Sequence, residues 1–196
     1  IKKYYPNQID EQKILRENGK LFTTSKRQTA INEAIKQGYQ IAIFDDGLQD
    51  FSINYDFSFV CFNNINWVGN GLTIPAGPLR ENLNNLRRYK NLFLNGNNEN
   101  LDNIKEYILK INPTINIYEG RYIVLNINEF DKKDKYLAFS GIGNHKTFIS
   151  MLKINKFDLI KELEFPDHYN YSSNDIKKII SFSKKNTCKI ITTEQD

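Results

Sequence analysis

The chain has 196 residues, an apolar fraction of 40% and a formal charge of +4. It is long enough for one domain or two small ones with a real core, and it reads as a soluble globular protein. No run approaches the ~18 to 20 continuous apolar residues of a membrane span, and no signal peptide opens the chain.

The chain starts at Ile1 and stops at Asp196 directly after a strand-like run, so both ends are expected to be cut. Any membrane anchor is then expected outside this piece. The basic groups Lys2-Lys3, Arg87-Arg88, Lys132-Lys133 with Lys135, and Lys184-Lys185 are scattered and read as solvated faces. Such a surface favours anionic partners without choosing among them. A nucleic-acid binder is the class that charge and aromatic content leave open, but the chain holds no recognisable module for it, and no nucleic-acid partner is expected. Cys61 and Cys188 lack the paired spacing of a zinc or redox site. Both are expected to be buried and reduced, as in a cytoplasmic protein.

In chain order, Ala30, Ile31, Ala34 and Ile35 line one helical face, and Gly38 is placed to end that helix. Ile41 to Phe44 reads as a buried parallel strand, followed by strands at Phe57 to Phe62 and Asn91 to Leu94. A helix carrying Leu101, Ile104 and Ile108 leads to a further strand at Ile115 to Tyr118. This alternation predicts a parallel sheet with covering helices. Arg121 to Phe130, running into the charged Asp131 to Lys135, reads as an extended linker. A second βα unit follows: strand Tyr136 to Phe139, turn Ser140 to Asn144, then a helix with Phe148, Met151 and Leu152. Ser172 to Asp175 has the form of a capping box ahead of the apolar stripe Ile176, Ile179 and Ile180. Strand Lys189 to Ile191 closes the chain.

The segment with most chemistry is Asp45-Asp46-Gly47-Leu48-Gln49, where an apolar run meets two adjacent carboxylates. Ligands in open α/β sheets collect at the carboxyl ends of strands, and Mg²⁺ takes one or two carboxylates while keeping water and substrate phosphate. Asp-Gly between apolar runs is equally a hairpin signal, and both readings stand at this point. His168 in Pro166-Asp167-His168-Tyr169 is either a proton-handling group or a loop residue satisfied by a local hydrogen bond. Arg80, behind the turn-rich Pro75-Ala76-Gly77-Pro78, is either aimed at a phosphate or paired with a nearby carboxylate.

Four segments together resemble one family, the tetraacyldisaccharide 4'-kinases: Asp45 to Gln49; Gly69-Asn70-Gly71 with Ile74 to Glu81; Phe139-Ser140-Gly141-Ile142-Gly143; and Phe165 to His168 with Thr192-Thr193-Glu194. The resemblance runs from Asp10 to Asp196. It implies an α/β fold: a truncated P-loop-like parallel sheet domain over residues 1–120, an extended linker over 121–135, and a smaller, truncated C-terminal α/β domain over 136–196. It implies ATP and Mg²⁺ as cofactors and a lipid A disaccharide precursor as partner, with peripheral contact at the cytoplasmic face of the inner membrane. On the same resemblance Asp10 is the catalytic base and His168 supports it. Asp45 and Asp46 hold the metal, while Glu11, Gln49, Arg80 and Glu81 line the nucleotide side.

Several positions depart from the family pattern. Ile9 and Gln12 flank the Asp10-Glu11 pair where glycine and proline are usual, Gln195 replaces a lysine, and Tyr169 stands where a second histidine is common. The chain also holds no Gly-x-x-x-x-Gly-Lys-Ser/Thr loop. Its nearest approach, Ser140 to Thr147, puts Ser140 and His145 at the two glycine positions; it is either an anion-binding turn or simply a tight strand-to-helix turn. The family's phosphate loop precedes the Asp-Glu pair, so the expectation is a fragment inactive by itself. The rival expectation is a noncatalytic anion-binding or adaptor domain of the same fold.

Overall fold

The computed structural model describes residues 1–3, 9–96 and 100–196, and of residues 3 and 9–11 the backbone alone. Two compact units emerge, Ile1–Ile53 with Asn126–Asp196, and Asn54–Leu125.

In the first unit, β1 (Lys2–Lys3) pairs in parallel with β2 (Thr23–Thr24), and α1 (Ile9–Asn18) lies between them in sequence. Helix α2 (Arg27–Lys36) forms where the periodicity predicts it and buries Ala30 and Ala34 of the expected face, whereas Ile31 is only half-buried and Ile35 is exposed. Gly38 ends it with a φ of 82°, a conformation costly for a side-chain-bearing residue. The amides of Gly38 and Tyr39 donate to the carbonyls of Ile35 and Ala34, which is the Schellman arrangement that satisfies a helix's last acceptors.

The strand expected at Ile41 to Phe44 does not form, and this corrects the sequence reading. Ile41 and Ile43 are 83% and 82% exposed. The physical reason is that no ladder forms among the described residues: the Ile1 amino group donates to the Ile43 carbonyl and the Asp45 amide to the Ile1 carbonyl, which is a single parallel step. A strand needs successive pairs along an edge and cover on its faces; one step supplies neither.

The second unit holds a parallel sheet in the order β3 (Val60–Asn63), β4 (Asn91–Asn95), β5 (Asn116–Gly120), with α3 (Leu101–Ile111) connecting β4 to β5. Alternate residues point to opposite faces. Leu92, Leu94, Val60, Phe62 and Ile117 therefore pack against Leu101, Ile104 and Ile108. The Asn112 amide donates to the carbonyls of Leu86 and Tyr89, tying the end of α3 to the 3-10 turn Leu83–Arg88. On the opposite face Cys61, Phe93 and Tyr118 stand in register. Cys61 is exposed, contrary to expectation, because its position in β3 points away from the helix-covered side; Cys188 is buried.

The C-terminal part of the first unit is built on β6 (Lys135–Ser140), flanked in parallel by β7 (Asp158–Glu164) and β8 (Lys189–Ile191) in the order β7-β6-β8. Tyr136 and Ala138 face α4 (His145–Ile154) through Phe148, Ile149 and Leu152. Leu137 and Phe139 face the other way, towards α5 (Ser173–Asn186) through Ile179 and Phe182. β6 is thus covered on both sides, which accounts for its unbroken apolar sequence. The capping box at Ser172 is present in full, with Asp175 as the reciprocal partner.

Replacing Leu152, 1% exposed, by alanine is expected to cost about 2–5 kcal/mol in urea unfolding, whereas Ile35→Ala, at a position 64% exposed, is expected to stay within about 0.5 kcal/mol.

Candidate functional site

The order β7-β6-β8 has a consequence for chemistry. The chain leaving β6 enters α4 on one face and the chain leaving β7 enters α5 on the other, so the two loops part at the carboxyl ends of adjacent strands. That divergence is where open α/β sheets place ligands. One wall is the turn Ser140 to Asn144, and the other is the loop Phe165 to Tyr171.

The two walls are bonded to each other. The amides of Phe165 and His168 donate to the carbonyls of Ser140 and Gly141. His168 takes a left-handed φ of 57°, and its imidazole lies 3.8 Å from the Asp167 carboxylate and 3.4 Å from the Gln195 amide. The Gly141 amide donates to Asp196 Oδ1 at 2.7 Å, and a Cβ on Gly141 would meet Tyr171 Oη at 3.0 Å and Asp196 Oδ1 at 3.2 Å. That amide is therefore engaged within the chain. Ser140 Oγ and His145 Nδ1, 2.7 Å apart and buried, tie the end of β6 to the start of α4. Ser140 and His145 thus stiffen the turn against each other. Burial and the Asp196 carboxylate push the Tyr171 phenol well above its ordinary range, so Tyr171 remains a donor.

The double-aspartate segment is a turn rather than a strand end, with Asp46 at a φ of 52°. Neither is it the hairpin of the competing reading, because no regular strand precedes it. Two cations hold it from the chain side. Lys2, 6% exposed at its side chain, reaches Asp45 Oδ2 at 2.5 Å. Arg27, at the start of α2, donates to the carbonyls of Asp45 and Asp46 at 3.1 and 2.7 Å and to Asp50 Oδ2 at 2.9 Å. Ser52 donates to Asp50 Oδ1; this bond first, and the Arg27 guanidinium second, lower the Asp50 pKa to about 2. Arg27 was not singled out from sequence. A signal was available only as an arginine one turn from Ala30 on an otherwise apolar face.

The carboxylates of Asp45 and Asp46 are exposed, as is Gln49. Hard oxygen donors on a fixed turn fit Mg²⁺, which is content with one or two carboxylates and several waters. Among the described residues no group of three or more His, Cys, Asp or Glu side chains gathers as a protein-only cage. A cation at Asp45 must share that carboxylate with the Lys2 ammonium.

In the second unit, Ile74-Pro75 is cis, and Thr73 bridges Leu79 just before the exposed Arg80. Glu81 is bonded to Arg88, Asn85 and Tyr89. An ion pair in this segment joins Glu81 to Arg88. The side chains of Asp10 and Glu11 lie outside the described residues, on the first turn of α1. The structure brings Asp45 and Asp46 together on one turn and sets His168 against Asp167 and Gln195.

A family model for tetraacyldisaccharide-1-P 4'-kinase matches residues 9–196. The chain belongs to that family. The tetraacyldisaccharide 4'-kinase of Pelagibacter ubique is 63% identical over the whole chain, which corresponds to 62% of that relative's length. The enzyme of the same name from Rickettsia akari is 33% identical over 95% of this chain and 56% of its own. The chain therefore spans about three fifths of these kinases. A crystal structure of the apo form of LpxK from Aquifex aeolicus in complex with ATP superposes with a TM-score of 0.54 at 22% identity, covering 89% of this chain and 53% of that one. It shares the α/β fold with parallel sheets. Two departures from the kinase pattern, Gln195 and Tyr169, fall on the His168 wall: Gln195 is a neutral neighbour of the imidazole, and Tyr169 donates to Asp175.

Because Asp50 is lowered from an ordinary 3.8, its contribution to stability is complete above that value and is lost as pH falls through about 2. An NMR titration is expected to show the Asp50 carboxyl midpoint near 2, and Arg27→Gln is expected to move it upward, towards 3.8.

Proposed function

We propose that the chain is part of an ATP-dependent kinase that phosphorylates the 4'-hydroxyl of tetraacyldisaccharide 1-phosphate in lipid A biosynthesis. The observation that carries this reading is the Asp45-Asp46 turn, pinned through its backbone by Arg27 while its carboxylates face solvent, within a family match that runs from residue 9 to residue 196. The division into a sheet domain over 1–120, a linker over 121–135 and a domain over 136–196 belongs to the same proposal.

Phosphoryl transfer depends on positioning and charge neutralisation, with a carboxylate near the attacking hydroxyl. Asp10 takes the proton from the sugar hydroxyl, and His168, backed by Asp167, tunes that transfer. Asp45 and Asp46 hold magnesium. When bound, the ion supplies charge neutralisation to phosphate oxygens. Glu11, Gln49, Arg80 and Glu81 serve the nucleotide side: Arg80 as the guanidinium for a phosphate oxygen, and Glu81 through the Arg88-Asn85-Tyr89 cluster that fixes the segment behind Arg80. Acyl chains on the substrate and the use of ATP support work at the cytoplasmic face of the inner membrane, with peripheral contact; no helix among the described residues is long and apolar enough to cross a bilayer. Nucleic acid has no part in this reading.

A second reading, a noncatalytic anion-binding or adaptor domain, is favoured by one observation: in the turn nearest to a phosphate loop, the Gly141 amide is bonded to Asp196. Steady-state assays with ATP and tetraacyldisaccharide 1-phosphate separate the two. The 196-residue chain alone is expected to show no turnover. Completed with the portions of the Pelagibacter ubique relative that it lacks, it is expected to become active. In that enzyme Asp10→Ala and Asp46→Ala are expected to lower kcat by at least about 100-fold, with ATP binding retained in Asp10→Ala. A completed chain that stays inactive favours the adaptor.

A further inference from the structure

We propose that Asp196 is the positioning residue that fixes the His168 wall, acting through the Gly141 peptide. This inference rests on the role given to His168 above. Asp196 is exposed, yet its carboxylate gathers donors from three separate stretches of chain. Oδ1 accepts the Gly141 amide at 2.7 Å and the Tyr171 hydroxyl at 2.6 Å. Oδ2 accepts the Thr193 hydroxyl at 2.6 Å and lies 3.1 Å from that of Thr192, which sits 2.9 Å from the Phe139 carbonyl and divides its one proton between the two. The end of β6, the loop after β7 and the end of β8 therefore meet on one charge. Hydrogen bonds to an ionised acceptor are shorter and stronger than neutral ones.

The link to His168 is a single peptide. Asp196 holds the nitrogen of Gly141, and the carbonyl of Gly141 accepts the backbone amide of His168 at 2.9 Å. His168 sits at a φ of 57°, which a residue with a side chain keeps only where its surroundings over-determine it. Tyr171, three residues on, is held by the same Oδ1, so the loop is held at His168 and again beyond it. Gly141 suits this approach, since a Cβ would sit tightly against Tyr171, Tyr169 and Asp196 together. Gln195, next in chain to Asp196, brings its amide to 3.4 Å from His168 Nδ1, so the stretch of chain that Asp196 anchors also carries a group facing the imidazole. The cores on either side of β6 do not include Asp196.

Two-dimensional NMR of the 196-residue chain reads this directly. Asp196→Ala is expected to move the Gly141 and His168 amide signals and the His168 imidazole resonances, while the methyl signals of Ile149, Leu152 and Ile179 stay in place. Asp196→Asn keeps a carbonyl oxygen for Gly141 and Tyr171 and is expected to restore most of the His168 pattern. Unmoved His168 signals in Asp196→Ala overturn the proposal, as does collapse of the core methyl pattern in both variants, which makes the residue merely structural. In the completed enzyme, Asp196→Ala is expected to lower kcat by up to about 100-fold with KM unchanged, and to add nothing to His168→Ala. Additive losses overturn it. A completed wild-type enzyme without turnover removes the kinase reading alone and leaves the NMR result to decide the role of Asp196.

Discussion

A strand whose both faces are apolar is stable only when both its edges are paired and both its faces are covered, and this constraint organises the chain. β6 meets it: β7 and β8 take its two edges, α4 and α5 its two faces, and Tyr136, Leu137 and Ala138 are all fully buried. Because consecutive parallel strands on opposite sides of β6 require crossovers over opposite faces, the loops at its carboxyl end diverge. The place of His168 beyond the carboxyl end of β6 is thus a product of how β6 is buried, before any side chain there is considered.

Ile41-Ala42-Ile43-Phe44 carries nearly the same sequence pattern as Tyr136-Leu137-Ala138-Phe139, and periodicity alone reads both as buried strands. Their fates differ because among the described residues the first finds one backbone step with Ile1 and the second finds a ladder on each edge. Burial is a property of partners, which a local window does not contain. Helices were more legible: the Ala30-Ala34 face with its Gly38 stop and the Ser172 capping box are local chemistry and appear as read. β7 escaped notice because Asp158 to Glu164 mixes charges with Leu159, Ile160 and Leu163, and a register shift beside Leu137 breaks its alternation.

The site was legible in part for the same reason. The aspartate pair, Arg80 with Glu81, and His168 stand out by residue type within short motifs. Arg27, Lys2 and Asp196 do not, since their partners lie far off in sequence and only the fold supplies them. What these three share is a long-range grip on backbone or carboxylate at a turn. Motif reading finds chemically distinctive side chains more readily than the distant partners that hold them.

The register of the second sheet leaves one more consequence. Cys61 stands beside Phe93 and Tyr118 on the side of the sheet away from α3, while the other thiol, Cys188, is enclosed. Partial burial raises the Cys61 pKa, so its thiolate forms sparingly at neutral pH and it alkylates slowly rather than not at all. A natural chemical reporter is thereby built into an aromatic surface, and its labelling rate will register anything that comes to lie across it.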